Sequence, residues 1–200
     1  MDTVTVRVYY DFASTLCYVA HRVLSRVEDD IAALGVVLEW RPIDLTMAAP
    51  WDRGDSFRPD VRAAVRNTGL TLGIDVEMPD PWLDSRPASH VALCTQSPED
   101  EARWRHAVFD TFFEKRTFEL TPDLVRLART LGIETIPNQV QGFGRVEECT
   151  REAIAFGLTG VPTFLLDNWM FGGVYDDDLM VSILRQLSAQ YRESGTSAVN

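Results

Sequence analysis

At the start of the chain Val4, Val6 and Val8 alternate with Thr5, Arg7 and Tyr9, the period-two pattern of a half-buried strand. Leu16, Ala20, Val23, Val27, Ile31 and Leu34 then recur at three- and four-residue steps, which predicts one amphipathic helix. Gly35 is placed to end that helix. Val36 to Arg41 reads as a second strand, stopped by Pro42. A strand–helix–strand unit of this size predicts parallel strands joined by a right-handed crossover.

From Asp44 to Pro81 the periodicity weakens, and prolines and glycines punctuate loops around one predicted helix at 59–67. Helical signals then dominate. One helix opens at Ser85-Arg86-Pro87. A second opens at Ser97-Pro98-Glu99-Asp100, with proline at the first helical position and acids in the first turn. It carries Trp104, Val108, Phe109, Phe112 and Phe113 on its apolar positions. Further helices are predicted from Thr121 to Leu131 and from Arg145 to Phe156. Strand sequence returns at Thr163–Leu166 and Trp169–Phe171, joined by Asp167-Asn168 as a tight turn. A last helix spans Asp176 to Tyr191, with three aspartates at its start. The predicted order is βαβ, a helical block, then αββα: an α/β chain with sheet-forming segments at 1–44 and 146–193, a helical insertion at 45–145 and a frayed tail at 194–200.

Composition narrows the partners. A net charge of -11 argues against nucleic acid and anionic membranes. No apolar run is long enough to span a bilayer, and Met1-Asp2-Thr3 leads straight into a strand with no room for a signal peptide, so the expected location is cytoplasmic. Three cysteines at irregular spacing form neither a disulfide framework nor a metal-ligand pattern. His90 and His106 also lack ligand-like spacing, so no metal is expected.

Candidate chemistry gathers where the first strand turns into the first helix. Ser14 stands where an N-cap belongs, and the free amides and dipole of the following turn favour a negative charge. Cys17 lies within reach of that turn. It reads either as a reactive thiol, helped by the helix start and by His21 one turn later, or as an inert core cysteine. Ser14 has no partnered base and is no nucleophile by itself, but its hydroxyl can cap the helix and donate to a bound thiolate. Tyr10, Asp11, Phe12 and Tyr18 flank the turn. Trp51, Trp82 and Trp104 either wall a pocket or fill the core, and Cys94 and Cys149 read as buried thiols. Gly160-Val161-Pro162-Thr163-Phe164 brings a proline to the first position of a strand.

The stretch Asp11-Phe12-Ala13-Ser14-Thr15-Leu16-Cys17-Tyr18 resembles the active-site turn of the DsbA-like branch of the thioredoxin superfamily, which includes FrnE-type oxidoreductases, 2-hydroxychromene-2-carboxylate isomerases and kappa-class glutathione transferases. The oxidoreductases carry Asp-Phe-x-Cys-Pro-x-Cys-Tyr here, and the other two carry Asp-x-x-Ser-Pro-Tyr-Ser followed by Tyr or Trp. The present turn is a hybrid of serine and cysteine, with Thr15 in the usual proline position. The resemblance implies a thioredoxin fold with a helical insertion and a cis Val161–Pro162 bond facing the turn. It implies catalytic roles for Ser14 and Cys17, with Asp11, Phe12, Tyr18, His21, Val161 and Pro162 in contact with a thiol or small-molecule substrate. Glutathione is the cofactor it suggests. Against this, Gly173-Val174-Tyr175-Asp176 replaces the Gly-(Ser/Asn)-Asp-Arg pattern that helps hold a γ-glutamyl group. A single cysteine in the turn also excludes an ordinary dithiol cycle, which needs a resolving partner. The expected function is thiol-dependent oxidoreductase or isomerase chemistry. The alternative is a catalytically silent protein binding a peptide or small molecule, and a homodimer is left open.

Overall fold

The structure is a computed structural model that describes residues 3–114, 120–133 and 143–197. Met1 and Asp2, read above as leading into the first strand, and residues 198–200 of the expected tail lie outside the described residues. Among the described residues four strands form one sheet in the order β2-β1-β3-β4, with β1 spanning Val4–Tyr10, β2 Val36–Pro42, β3 Thr163–Leu166 and β4 Trp169–Gly172. β1 runs parallel to β2 and antiparallel to β3, and β3 turns back onto β4 with Leu166 opposite Trp169. The two-residue connection holds Asp167 at φ 53°, a conformation that aspartate tolerates better than most residues. This is the thioredoxin-like α/β arrangement.

Helices cover both faces of the sheet. Val4, Val6 and Val8 pack into a core shared with α1 (Thr15–Arg26) and α8 (Asp177–Ser197). On the other face, Tyr9 and Leu165 pack with Ala153 of α7 (Gly144–Ala155). β1 is therefore a central strand covered on both sides towards its C-terminal end, rather than half-buried throughout. Between β2 and α7 the chain forms a 3₁₀ turn at Leu45–Met47, then α3 (Pro59–Thr71), α4 (Arg86–Cys94), α5 (Pro98–Phe109), a π-helical turn at Asp110–Glu114 and α6 (Leu120–Thr130).

Several boundaries differ from expectation, among them α3, which runs to Thr71 rather than 67, and α5, which ends at Phe109 before Phe112 and Phe113. The first helix is not continuous to Leu34. It ends at Val27, and α2 (Glu28–Ala33) starts afresh. Glu28, Asp29 and Asp30 occupy the first turn of α2, where acids complement the helix dipole, so the sequence favours a new N-terminus there. The last helix runs to Ser197 instead of fraying from Ser194. α3 is anchored by a close approach: a Cβ on Gly69 would lie 2.6 Å from the Ile74 carbonyl oxygen and 2.9 Å from Val76, so no larger residue fits.

Candidate functional site

The turn between β1 and α1 is held by a buried aspartate. Asp11 is fully buried, and its Oδ1 accepts from the Ala13 amide at 2.8 Å and the Ser85 hydroxyl at 2.5 Å. Its Oδ2 accepts from the Leu45 amide at 2.8 Å. One carboxylate thus ties the turn to the segment after β2 and to the N-cap of α4. Burial pushes its pKa up to about 6, against the lowering effect of these three donors. Asp11 acts here as a positioning residue.

Ser14 follows as the N-cap of α1, its Oγ accepting from the Cys17 amide at 3.4 Å and its carbonyl from the Tyr18 amide at 3.1 Å. The amides of Thr15 and Leu16 have no hydrogen-bond partner among the described residues, as expected for the first turn of a helix. The Thr15 hydroxyl beside them is buried and also without a partner. Three donors therefore sit next to the Ser14 hydroxyl at the positive end of the helix.

Cys17 lies deeper still. It is completely buried, and burial pushes its thiol up to about 12, outweighing the lowering effects of the Ser14 hydroxyl and the Asp11 backbone. The expectation of a thiol activated by the helix start is corrected: at neutral pH Cys17 is a protonated core side chain. His21 gives it no help. The ring is buried, with Nδ1 3.0 Å from Arg105 Nη1 and Nε2 3.3 Å from His106 Nδ1. Burial first, then the Arg105 charge, lower its pKa to about 2, so the imidazole is neutral. Arg105 can only donate, so Nδ1 accepts and Nε2 carries the proton towards His106.

Phe12 and Tyr18 also face inward. Phe12 lies edge-on to Tyr10 at 5.0 Å between ring centroids and 5.1 Å from Phe109, and Tyr18 stacks on Phe113 at 4.8 Å. The reading of both as ligand contacts is corrected by this packing, because α5 and its π turn cover Phe12 in the turn and Tyr18 on α1. Trp104 is core as well, with its Nε1 donating to the Ala88 carbonyl at 2.9 Å.

The Val161–Pro162 bond is cis, as is Asp80–Pro81. Because Tyr9 pairs with Thr163, the strand register sets Val161 beside the turn. There Val161 packs against a cluster of Ala13, Leu45 and Trp82. Trp51, Phe57 and Trp82 stand mutually edge-on, with centroids 5.5 to 5.9 Å apart, and roof this cluster. The buried Trp51 Nε1 has no hydrogen-bond partner among the described residues. The structure thus brings together Asp11, Ser14, Val161 and Pro162, and adds Leu45, Ser85 and Phe57, for which the sequence carries no signal. Trp51 and Trp82 were visible as candidates.

Elsewhere, a groove of about 750 Å³ runs along the outer edge of β2 between α2 and the start of α5, bordered by Trp40, Glu28, Gln96 and Arg105. It lies away from Ser14. The segment before α8 offers little to a γ-glutamyl group. The Asp176 carboxylate accepts from the Leu179 amide at 2.8 Å, and the Tyr175 hydroxyl donates to the Gly172 carbonyl at 2.7 Å. The donor set at Ser14 fits a thiolate sulfur, whereas this segment does not fit the remainder of glutathione in the usual way. Among the described residues no cluster of three His, Cys, Asp or Glu side chains could hold a metal.

Comparison with known proteins bears on this geometry. A family model described as DSBA-like thioredoxin domain matches residues 5–185. Among curated proteins none matches. Among solved structures, a 2-hydroxychromene-2-carboxylate isomerase is similar at 19% identity and a TM-score of 0.71, covering 96% of this chain and 98% of the other. A probable DsbA oxidoreductase from Streptomyces coelicolor is similar at 21% identity and a TM-score of 0.66, covering 92% and 89%. The Wolbachia pipientis α-DsbA1 follows at 15% identity and 0.62, covering 94% and 87%. At these identities the likeness to solved structures is one of fold.

Proposed function

The chain belongs to the DSBA-like thioredoxin domain family, and from that premise we propose an isomerase-type enzyme that holds a small thiol as its thiolate at Ser14. The observation that carries this reading is the contrast within one turn. The Thr15 hydroxyl and the first amides of α1 are donors without a partner among the described residues, next to the capping Ser14 hydroxyl at a helix N-terminus, while Cys17 is sealed and protonated. Such a turn suits a sulfur brought from outside and does not suit a dithiol exchange within the protein. The solved isomerase of the same fold supports the choice of reaction class.

In this reading Ser14 caps α1 and donates its hydroxyl hydrogen to the thiolate, favouring the charged form. The thiol supplies the nucleophile. Trp51, Phe57 and Trp82 exclude water above the turn, and their apolar faces suit a small aromatic or otherwise flat substrate. Val161 packs into the same apolar cluster. A thiol such as glutathione is held mainly through its sulfur, because residues 173–175 carry neither an acid nor an arginine and the Asp176 carboxylate caps α8.

Calorimetric titration with glutathione and with a thiol lacking the γ-glutamyl arm tests this. Comparable affinities are expected, with Ser14→Ala weakening both by roughly ten-fold or more, the ordinary worth of a hydrogen bond to a charged group. Ser14→Ala also removes an N-cap and costs about 1 kcal/mol of stability, so Thr15→Val, which deletes an unpartnered hydroxyl, gives the cleaner comparison. Absence of binding by either thiol, or binding indifferent to both substitutions, overturns the reading. It would favour the catalytically silent binding protein, a role consistent with the near-complete burial of Ser14 at 6% exposure.

A further inference from the structure

The three cysteines occupy different surroundings. Cys17 is sealed, and burial raises the Cys149 thiol as well. Cys94, the last residue of α4, is half-buried and belongs to a cluster. Its Sγ lies 3.6 Å from His90 Nε2, one turn earlier on the same helix, and 3.6 Å from the Arg145 guanidinium in the first turn of α7. His90 is only 7% exposed, and its Nδ1 is buried with no hydrogen-bond partner among the described residues. The contact with Cys94 is therefore the described polar contact of that ring.

We propose that Cys94, set between the His90 imidazole and the Arg145 guanidinium, is a site of reversible mixed-disulfide formation with low-molecular-weight disulfides. The cluster offers a thiolate the permanently charged Arg145 N–H and, in the tautomer protonated at Nε2, the His90 N–H. Burial, then the Arg145 charge, hold the His90 pKa below its ordinary value, so the ring stays neutral, and its tautomer protonated at Nε2 donates to the sulfur. The C-terminal end of α4 opposes a negative sulfur. Part of that opposition is taken up by the Gln96 side chain, which donates to the Cys94 carbonyl at 3.2 Å.

The step balances as a simple exchange. The Cys94 thiol releases its proton to solvent, and the thiolate bonds to one sulfur of a small disulfide such as glutathione disulfide. The original sulfur–sulfur bond breaks, and its electron pair leaves with the second sulfur, which takes a proton from solvent. Cys94 is oxidised and one glutathione is reduced. The site is independent of Ser14 and requires no second protein cysteine.

The test treats the native protein with glutathione disulfide, and separately with iodoacetamide, and follows each cysteine by peptide mass spectrometry. Cys94 is expected to take up one glutathione, released again by reductant, and to alkylate before Cys149 and Cys17. Arg145 is exposed, so its substitutions leave the core untouched. Arg145→Ala should slow both reactions at Cys94 by roughly three- to ten-fold, the effect of losing a cation next to sulfur near the surface, and Arg145→Lys should restore most of the rate. Modification of Cys149 or Cys17 ahead of Cys94, or an Arg145→Ala rate equal to that of the unaltered protein, overturns the proposal.

Discussion

At the scale of single residues, Asp11 shows how a carboxylate can hold a site while costing stability. Its three donors come from three parts of the chain, but desolvation prevails and lifts its pKa from 3.8 to about 6. The folded state therefore binds this proton more tightly than the unfolded state does. The contribution is present in full below the unfolded value and is lost as pH rises through about 6, so the protein should weaken between about pH 4 and 6 by an amount on the order of 3 kcal/mol from this group. Denaturant unfolding of the unaltered protein and of Asp11→Asn across that range provides the measurement. The stability difference between them should change by that order, whereas a constant difference would show that Asp11 titrates alike in both states. Cys17 carries the companion lesson. Sequence spacing places it at a helix start, where a thiolate is favoured, but it is sealed in a core that also takes in residues far along the chain, such as Phe109 and Phe113.

At the scale of elements, α5 decides what the first turn of α1 can do. Phe109 is fully buried and lies within about 6 Å of the rings of Tyr10, Phe12, Tyr18 and His21. Nearby, the Tyr10 hydroxyl donates to Glu101 at 3.2 Å, Glu101 pairs with Arg105 at 3.1 Å, and the Arg105 guanidinium lies 3.9 Å above the Trp40 ring. Phe109→Ala should cost on the order of 3 to 5 kcal/mol, because the rings around it cannot collapse into the space. Thermal or denaturant unfolding reads that loss, and a cost below about 1 kcal/mol would show that the aromatic cluster tolerates the cavity. The elements themselves were largely legible. β1, β2 and β3 follow from their apolar alternation or runs, and α5 from Ser97-Pro98 and its acids, because these signals are local. What was hidden is which face meets which. Phe12, Tyr18 and His21 flank the turn in sequence and so resemble site residues, but α5 turns them into core. Ser85 and Leu45 reach Asp11 through the tertiary fold, and no local pattern announces such a partner. The break at Val27 was missed because the apolar period continues through it, while the acids that restart the helix read equally well as a solvated face.

At the scale of the whole molecule, the helical segment and the sheet are not separable layers. One core includes Val4 and Val8 of β1, Ala88 of α4, Trp104 and Phe109 of α5, Leu124 of α6, Phe164 of β3 and Leu184 of α8. Asp11 and Tyr10 add polar ties from the turn to the residues that follow β2 and to α5. A chain of about this length with one shared core is expected to unfold as a unit. Far-ultraviolet dichroism and tryptophan fluorescence should therefore report the same midpoint, since Trp40 lies in β2 while Trp82 and Trp104 belong to the segment after it. Within that unit α3 should be the first element to open. Gly69 is its one buried residue, and Val61 and Leu70 are 36% and 48% exposed. Native-state hydrogen exchange separates these statements. Low protection confined to α3, with α4 and α5 exchanging together with β1, is the expected pattern. Exchange of α4 and α5 well before β1, or two resolved unfolding transitions, would show that the inserted helices fold as a body of their own and that the roof over Ser14 can lift without disturbing the sheet beneath it.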